Sequence, residues 1–175
     1  MASNIFILPL LLFLSIFTCS TAKLGHQKET EMTVYYHEYS GSRNATLIEI
    51  PGPSTGPLNT TKFGLMMCTD DPITEKFEEG SVQIARGRGI YVISALDGSH
   101  AHMLVSVVFI NGKYKGSTLE IQGSYALRER ATEVAVVGGT GKFRLARGYA
   151  TFEVLYTDSL RGYLLARSNM IVLHY

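Results

Sequence analysis

The chain predicts an all-β domain, either a sandwich or an antiparallel barrel. Three observations carry that expectation. Short runs alternate apolar and polar residues with a period of two. Turn signals rich in Gly, Pro, Asn and Asp break these runs at intervals of about 8–12 residues. The 17 glycines suit the corners and bulges that a curved sheet needs, and little in the sequence reads as helix.

The elements follow in order. Met32 to Tyr39 alternates, with Met32, Val34 and Tyr36 on one face and Thr33, Tyr35 and His37 on the other. Ala45 to Ile50 is a second short run. The stretch Pro51 to Thr61 holds three prolines and two glycines and is a loop. Lys62 to Cys68 is a third strand, ended by Asp70-Asp71-Pro72. Ser81 to Ala85 and Ile90 to Leu96 are two runs flanking Arg86-Gly87-Arg88-Gly89. Asp97-Gly98 is a turn before Ala101 to Ile110, which is apolar on both faces as a central strand is. Asn111-Gly112 is a hairpin signal. Tyr114 to Gln122 returns from it, and Glu133 to Val137 ends in Gly138-Gly139-Thr140-Gly141. Tyr149 to Tyr156 and Tyr163 to Tyr175 complete about eight to ten strands, and around eight closed strands can enclose one small ligand.

Residues 1–22 read as a secretory signal, 23–31 as a short N-terminal extension and 32–175 as one domain. Ile5 to Phe17 is almost wholly apolar and too short to span a bilayer comfortably, and Ser20-Thr21-Ala22 offers small residues for cleavage. The competing account is an uncleaved anchor. Cleavage removes Cys19 and leaves Cys68 alone, so no internal disulfide is expected. In a secreted chain Asn44-Ala45-Thr46 and Asn59-Thr60-Thr61 make Asn44 and Asn59 candidate glycosylation sites. A net charge of +1, with no basic run, gives no electrostatic case for nucleic acid or an acidic membrane as a partner.

Several chemistries lack their residues. A phosphate loop ending at Gly141-Lys142 would need Gly where Val136 stands and Ser or Thr where Phe143 stands. No helix signal follows for a dinucleotide fold. His100 and His102 share one strand face, but Ser106 follows on that face and no third ligand is near, so no metal is expected. No Gly-x-Ser-x-Gly elbow exists. Glu38 stands out instead. By strand parity it shares the apolar face of Met32, Val34 and Tyr36, and a carboxyl facing a barrel interior is desolvated and suited to acid–base work near neutral pH. The plainer account places Glu38 at a wet rim. Tyr36 and Tyr91 lie on strands from which a phenol can be bonded and stacked upon, with core packing as the plainer account.

The chain resembles the dirigent family of vascular plants over about residues 32 to 175. The segment Glu133-Val-Ala-Val-Val-Gly-Gly-Thr-Gly-Lys-Phe-Arg-Leu-Ala-Arg-Gly-Tyr-Ala150 carries most of the likeness. Tyr35-Tyr36-His37-Glu38 followed by Asn44-Ala45-Thr46, and Ala85-Arg-Gly-Arg-Gly-Ile-Tyr91, support it. The resemblance implies an eight-stranded antiparallel barrel, commonly a homotrimer, secreted to the cell-wall space (the apoplast), with no cofactor. Its best-known members guide the stereoselective coupling of phenoxy radicals made by a separate laccase or peroxidase, as in lignan biosynthesis, by holding them in one orientation. Others take water from an isoflavanol and close an ether ring through a quinone methide, as in pterocarpan formation, which calls for a pocket acid.

Measured against the pinoresinol-forming members, the chain keeps a pocket carboxylate as Glu38, in place of Asp, and a tyrosine as Tyr91. Tyr125 stands where those members carry a second pocket Asp, and Thr132 where they carry Arg. Arg128 and Arg130 are near in sequence but need a register shift to serve. The half-cystine near each mature end is absent. The resemblance therefore gives Glu38 as the catalytic candidate and Tyr36, Tyr91, Tyr125 and Thr132 as candidate substrate contacts for a small phenolic ligand. Guided coupling of some other phenol is the leading expectation. Dehydration with cyclisation is the second, and a phenolic-binding defence or cell-wall protein the third.

Overall fold

The first strand, β1, runs from Lys28 to Tyr39 and pairs along its whole length with the last, β9 (Tyr163–His174), from Lys28 opposite His174 to Tyr39 opposite Tyr163. This computed structural model describes residues 25–41, 43–50 and 62–175. The signal segment 1–22, the loop 51–61 and Asn59 lie outside the described residues. Between the two ends of the chain come β2 (Leu47–Glu49), β3 (Met66–Thr74), β4 (Gln83–Ile93), β5 (His100–Phe109), β6 (Thr118–Ala126), β7 (Ala131–Thr140) and β8 (Arg147–Asp158). All pair antiparallel in the order β1-β9-β8-β7-β6-β5-β4-β3, and β1 pairs with β3 to close the ring, while β2 lies only against β3. The fold is thus an eight-stranded antiparallel barrel, with β2 as a short extra rung.

Period-two alternation sorts the side chains. Val34, Val105, Val107, Leu119, Ile121, Val134, Val136, Met170 and Val172 fill the interior and are almost fully buried. One end is plugged by aromatic rings: Phe143 packs 5.5 Å from Phe109 and 4.7 Å from Tyr114, and His174 meets its edge. The Gly138-Gly139-Thr140-Gly141 stretch forms the end of β7 and the 3-10 turn that delivers Phe143 to this plug. Its glycines serve chain geometry.

Four expected boundaries move, each for a physical reason. β1 begins at Lys28, ahead of Met32, because β9 extends far enough to pair with it. β3 does not stop at Asp70-Asp71-Pro72. Pro72 falls where the ladder is interrupted, since β2 pairs only as far as Thr69 and β1 only from Ile73, so its missing N–H is not called upon. The two runs around Arg86-Gly87-Arg88-Gly89 are the single strand β4. Arg86 and Arg88 alternate outward to bond Asp70, and Gly87 and Gly89 alternate inward where a side chain has no room. The hairpin expected at Asn111-Gly112 is a longer connection, in which residues 112–114 make a 3-10 turn and β6 starts only at Thr118.

A Cβ on Gly89 would lie 2.0 Å from the Leu104 carbonyl oxygen and 2.8 Å from the Val105 Cα, both backbone atoms of the neighbouring strand. Gly89→Ala is therefore expected to lower the unfolding free energy by about 3 kcal/mol. Gly138→Ala, whose Cβ would meet only Glu120 Cγ at 3.9 Å, should change it by less than about 0.5 kcal/mol. Urea unfolding of both variants beside the parent checks the pair.

Candidate functional site

The barrel is full at the Phe143 end and hollow at the other. A cavity of about 310 Å³ opens there, walled by β1 (Tyr36, Glu38), β3 (Met67, Asp71), β4 (Tyr91), β6 (Tyr125), β8 (Phe152) and β9 (Leu164, Ala166). Gly98 and the turn residues Leu127 and Arg128 form its rim. The inward parity of each strand brings these side chains together, and Gly87 makes room for them. A Cβ at Gly87 would stand 2.8 Å from the Tyr36 ring, so a larger residue would displace that ring. Tyr36 and Tyr125 both lean on Phe152, at 5.3 and 6.1 Å between ring centres.

Two carboxyl groups share the cavity and differ in their surroundings. Glu38 accepts no hydrogen bond from any described residue. Burial, followed by the negative charge of Asp71, pushes its carboxyl up to about 8. Asp71 is only 2% exposed. Burial pushes it up to about 6, less far because two hydroxyls serve the charged form: Thr46 Oγ1 donates to Oδ1 at 2.5 Å and Thr69 Oγ1 to Oδ2 at 2.7 Å. Arg86 also lowers it, although its hydrogen bonds go to Asp70, to Oδ1 at 2.6 Å and to the backbone carbonyl. Near pH 7, then, Glu38 is chiefly a proton donor and Asp71 chiefly an acceptor, which is how two carboxyls in one site divide acid and base roles.

The phenols complete the site. Burial, then the charge of Asp71, raises Tyr36 and Tyr91 above the ordinary tyrosine range, and burial with Glu38 raises Tyr125. All three stay protonated as donors. The Tyr36 hydroxyl is buried without a hydrogen-bond partner, so a donor is left open beside the cavity.

Four of the five residues singled out in the sequence, Tyr36, Glu38, Tyr91 and Tyr125, line this one cavity. Thr132 is not among the lining residues. Its hydroxyl donates to the Ala126 carbonyl at 3.2 Å and braces the base of the β6–β7 turn. Asp71 is the cavity carboxyl that sequence reading missed, and its signal is the parity Met67, Thr69, Asp71, Ile73, all buried. Arg128 reaches the rim with no register shift because it sits in the turn, where strand parity does not apply, and its Nη2 donates to the Asp97 carbonyl at 3.0 Å. Arg130 instead bonds Glu153, at 3.1 Å. His37 faces away from the cavity. Tyr163 Oη lies 2.9 Å from its Nδ1 and Thr74 Oγ1 2.9 Å from its Nε2. His100 meets Ser99 Oγ at 2.8 Å, and the described residues hold no cluster of three or more His, Cys, Asp or Glu fit for a metal.

Known proteins share this arrangement of strands. Pterocarpan synthase 1 of Glycyrrhiza echinata is 32% identical over 159 residues, covering 89% of this chain and 85% of that protein. Dirigent protein 15 of Arabidopsis thaliana is 33% identical over 163 residues, covering 88% of this chain and 84% of that protein. A solved pterocarpan synthase dirigent protein superposes with a TM-score of 0.78 at 30% identity, covering 86% of this chain and 87% of that one. A second gives 0.76 at 30%, covering 85% and 96%. The family model described as dirigent-like protein matches residues 29–173, almost the whole barrel from β1 to β9, and the chain belongs to the dirigent family.

Proposed function

We propose that this protein removes water from a phenolic alcohol of the isoflavanol type and closes an ether ring, in the manner of the pterocarpan synthases it is similar to. The observation that carries this reading is the pairing of a protonated, unbonded Glu38 with a hydrogen-bonded Asp71 in one aromatic cavity. The volume supports it as well. About 310 Å³ lies at the small end of ligand pockets (roughly 300–1,000 Å³) and suits one polycyclic phenol better than two separate radicals. This reverses the order expected from sequence, where guided coupling led.

Glu38 gives its proton to the benzylic hydroxyl while Asp71 takes the proton of the conjugated phenol. The C–O bond breaks, water leaves and a quinone methide remains. A second phenolic oxygen of the same molecule attacks the benzylic carbon and yields its proton to Glu38. Asp71 then returns its proton to the carbonyl oxygen. Both carboxyls are restored, one water is lost and no electron changes hands. Tyr36, Tyr91 and Tyr125 donate to the oxygens that gain charge. Secretion to the apoplast, glycosylation and a homotrimer belong to the same reading. Asn44 is exposed in the turn after β1. A row of Ile48, Cys68, Ile90 and Leu104 crosses the outer face of four strands and supports association.

Purified protein should turn over an isoflavanol with no oxidase present, and Glu38→Gln should lower kcat by about 10²–10⁴-fold. Chiral chromatography of isoflavanol and monolignol reactions, with and without a laccase, decides the matter. Enantiomeric excess that appears only with the laccase would return the protein to guided coupling.

The rate should be greatest between about pH 6, above which Asp71 is ionised, and about pH 8, below which Glu38 is protonated. Removing the Asp71 charge lowers Glu38, so any residual activity of Asp71→Asn should show its alkaline limb at lower pH. Stability follows the same sign. The folded state holds the Glu38 proton to about 8 against an ordinary 4.5, so its stabilising effect is complete below 4.5 and lost as pH rises to about 8. Melting curves should show Glu38→Gln gaining on the parent over that interval; a constant deficit would mark Glu38 as structural.

Light scattering of the secreted protein at micromolar concentration should give the mass of a trimer, and a monomer mass would remove that part of the reading.

A further inference from the structure

Thr46 lies outside the cavity wall, in the segment between β1 and β2, yet it is one of the most firmly held residues near the site. Its N–H donates to the Tyr39 carbonyl at 2.7 Å, and its carbonyl accepts the Asp70 N–H at 2.9 Å. Its hydroxyl accepts the Tyr39 N–H at 2.9 Å, which leaves the hydroxyl proton one direction to go: Asp71 Oδ1, at 2.5 Å. A hydroxyl whose acceptor side is taken by a backbone N–H is an obligate donor, and an obligate donor favours the charged form of the carboxylate it meets. Thr69 supplies a second donor, but from β3 itself, two residues away, whereas Thr46 ties the carboxylate to the end of a different strand.

We propose that Thr46 is a positioning residue for the proton acceptor of the reaction, its hydroxyl holding Asp71 as a charged carboxylate aimed into the cavity and coupling it to the end of β1, which carries Glu38. The assignment rests on the role given to Asp71 above. Thr46 is also the third residue of the Asn44-Ala45-Thr46 sequon, so its substitution can remove a candidate glycosylation site as well as the bond to Asp71. The groups that bear on Asp71 are Glu38 and Tyr36 on β1, Arg86 and Tyr91 on β4, and Asp70 on its own strand; of the two donors bonded to Asp71, Thr46 alone comes from outside β3.

The test compares Thr46→Val, Thr46→Ser and Asn44→Gln with the parent. Val loses the hydroxyl and the sequon, Ser keeps both, and Asn44→Gln loses the sequon alone. A ¹³C-carboxyl titration of Asp71, which needs no substrate, should show its midpoint moved to higher pH in Thr46→Val and unmoved in the other two. In the isoflavanol assay the acid limb of the rate profile should move the same way in Thr46→Val, with kcat at neutral pH down about tenfold. Thr46→Ser should restore the parent profile to within about twofold. An unmoved Asp71 midpoint in Thr46→Val overturns the assignment, and so does a fall in kcat without a change of profile. An Asn44→Gln effect equal to that of Thr46→Val overturns it too, by placing the effect in the glycan. A moved midpoint in a protein whose parent dehydrates no isoflavanol upholds the hold of Thr46 on Asp71 and overturns the dehydration reading instead.

Discussion

The barrel closes on a very short seam. β1 meets β3 at only two registers, Tyr35 opposite Thr74 and Tyr36 opposite Ile73, whereas β1 and β9 pair over twelve. Both carboxyls depend on that seam, because it alone brings the strand carrying Glu38 beside the strand carrying Asp71. It is reinforced from both sides. On the outer face His37 bonds Thr74, a seam residue, and Tyr163 of β9, so one imidazole spans three strands. Beyond the seam, Thr46 links the Tyr39 backbone to Asp71. The long β1–β9 ladder then fixes which way each residue points. A slip of one residue would place His37 in the cavity and Glu38 outside, so such a slip would exchange the acid for a base.

The site is built against stability. Two carboxyls sit in an aromatic cavity, and Arg86, the guanidinium that bears on Asp71, gives its hydrogen bonds to Asp70 on the outer face. Without a bonded cation the two cannot both ionise cheaply, so the protein keeps one neutral and provides the other with two hydroxyl donors. The Tyr36 hydroxyl and the Ser168 hydroxyl are also buried with no partner. A phenylalanine at position 36 would pack on Phe152 equally well and leave nothing unsatisfied. The Tyr36 hydroxyl joins the two carboxyls at the cavity, whereas Arg167 Nε, Ser168 Oγ and His174 Nδ1, also buried without a partner, are not among the cavity's lining residues, and His174 stands at the plugged end.

Much of this was legible in the sequence wherever alternation alone decides the outcome. The all-β class, the interior side of β1 and the inward turn of Glu38 all follow from period two. Sequence reading failed where a second constraint overrode the local signal. Asp70-Asp71-Pro72 has the composition of a strand end, and only the three-dimensional gap between β2 and β1 lets proline remain inside a strand, so Asp71 was overlooked. Arg86-Gly87-Arg88-Gly89 has the composition of a turn, but the glycines are small because Tyr36 and the β5 backbone occupy the space where their side chains would be. Thr132 matches an arginine position of related chains, yet its hydroxyl is used by the Ala126 carbonyl. Arg128 reaches the rim although strand parity gives it no inward place, because parity says nothing about a residue in a turn.

The same cavity bears on the choice between the two readings, guided coupling and dehydration. Holding a phenol in one orientation takes aromatic walls and a few donors, and Tyr36, Tyr91, Tyr125 and Phe152 supply these whatever the reaction. Expelling a hydroxyl takes one thing more, a proton held ready at a carboxyl that would be ionised in water. That proton is retained on Glu38 by burial and by the charge of Asp71, and that charge persists near neutrality because Thr46 and Thr69 bond to it. On the dehydration reading, chemistry in this barrel is set by how the pocket partitions a proton between two carboxyls, and hydroxyls set behind the wall adjust that partition without altering the surface a substrate touches.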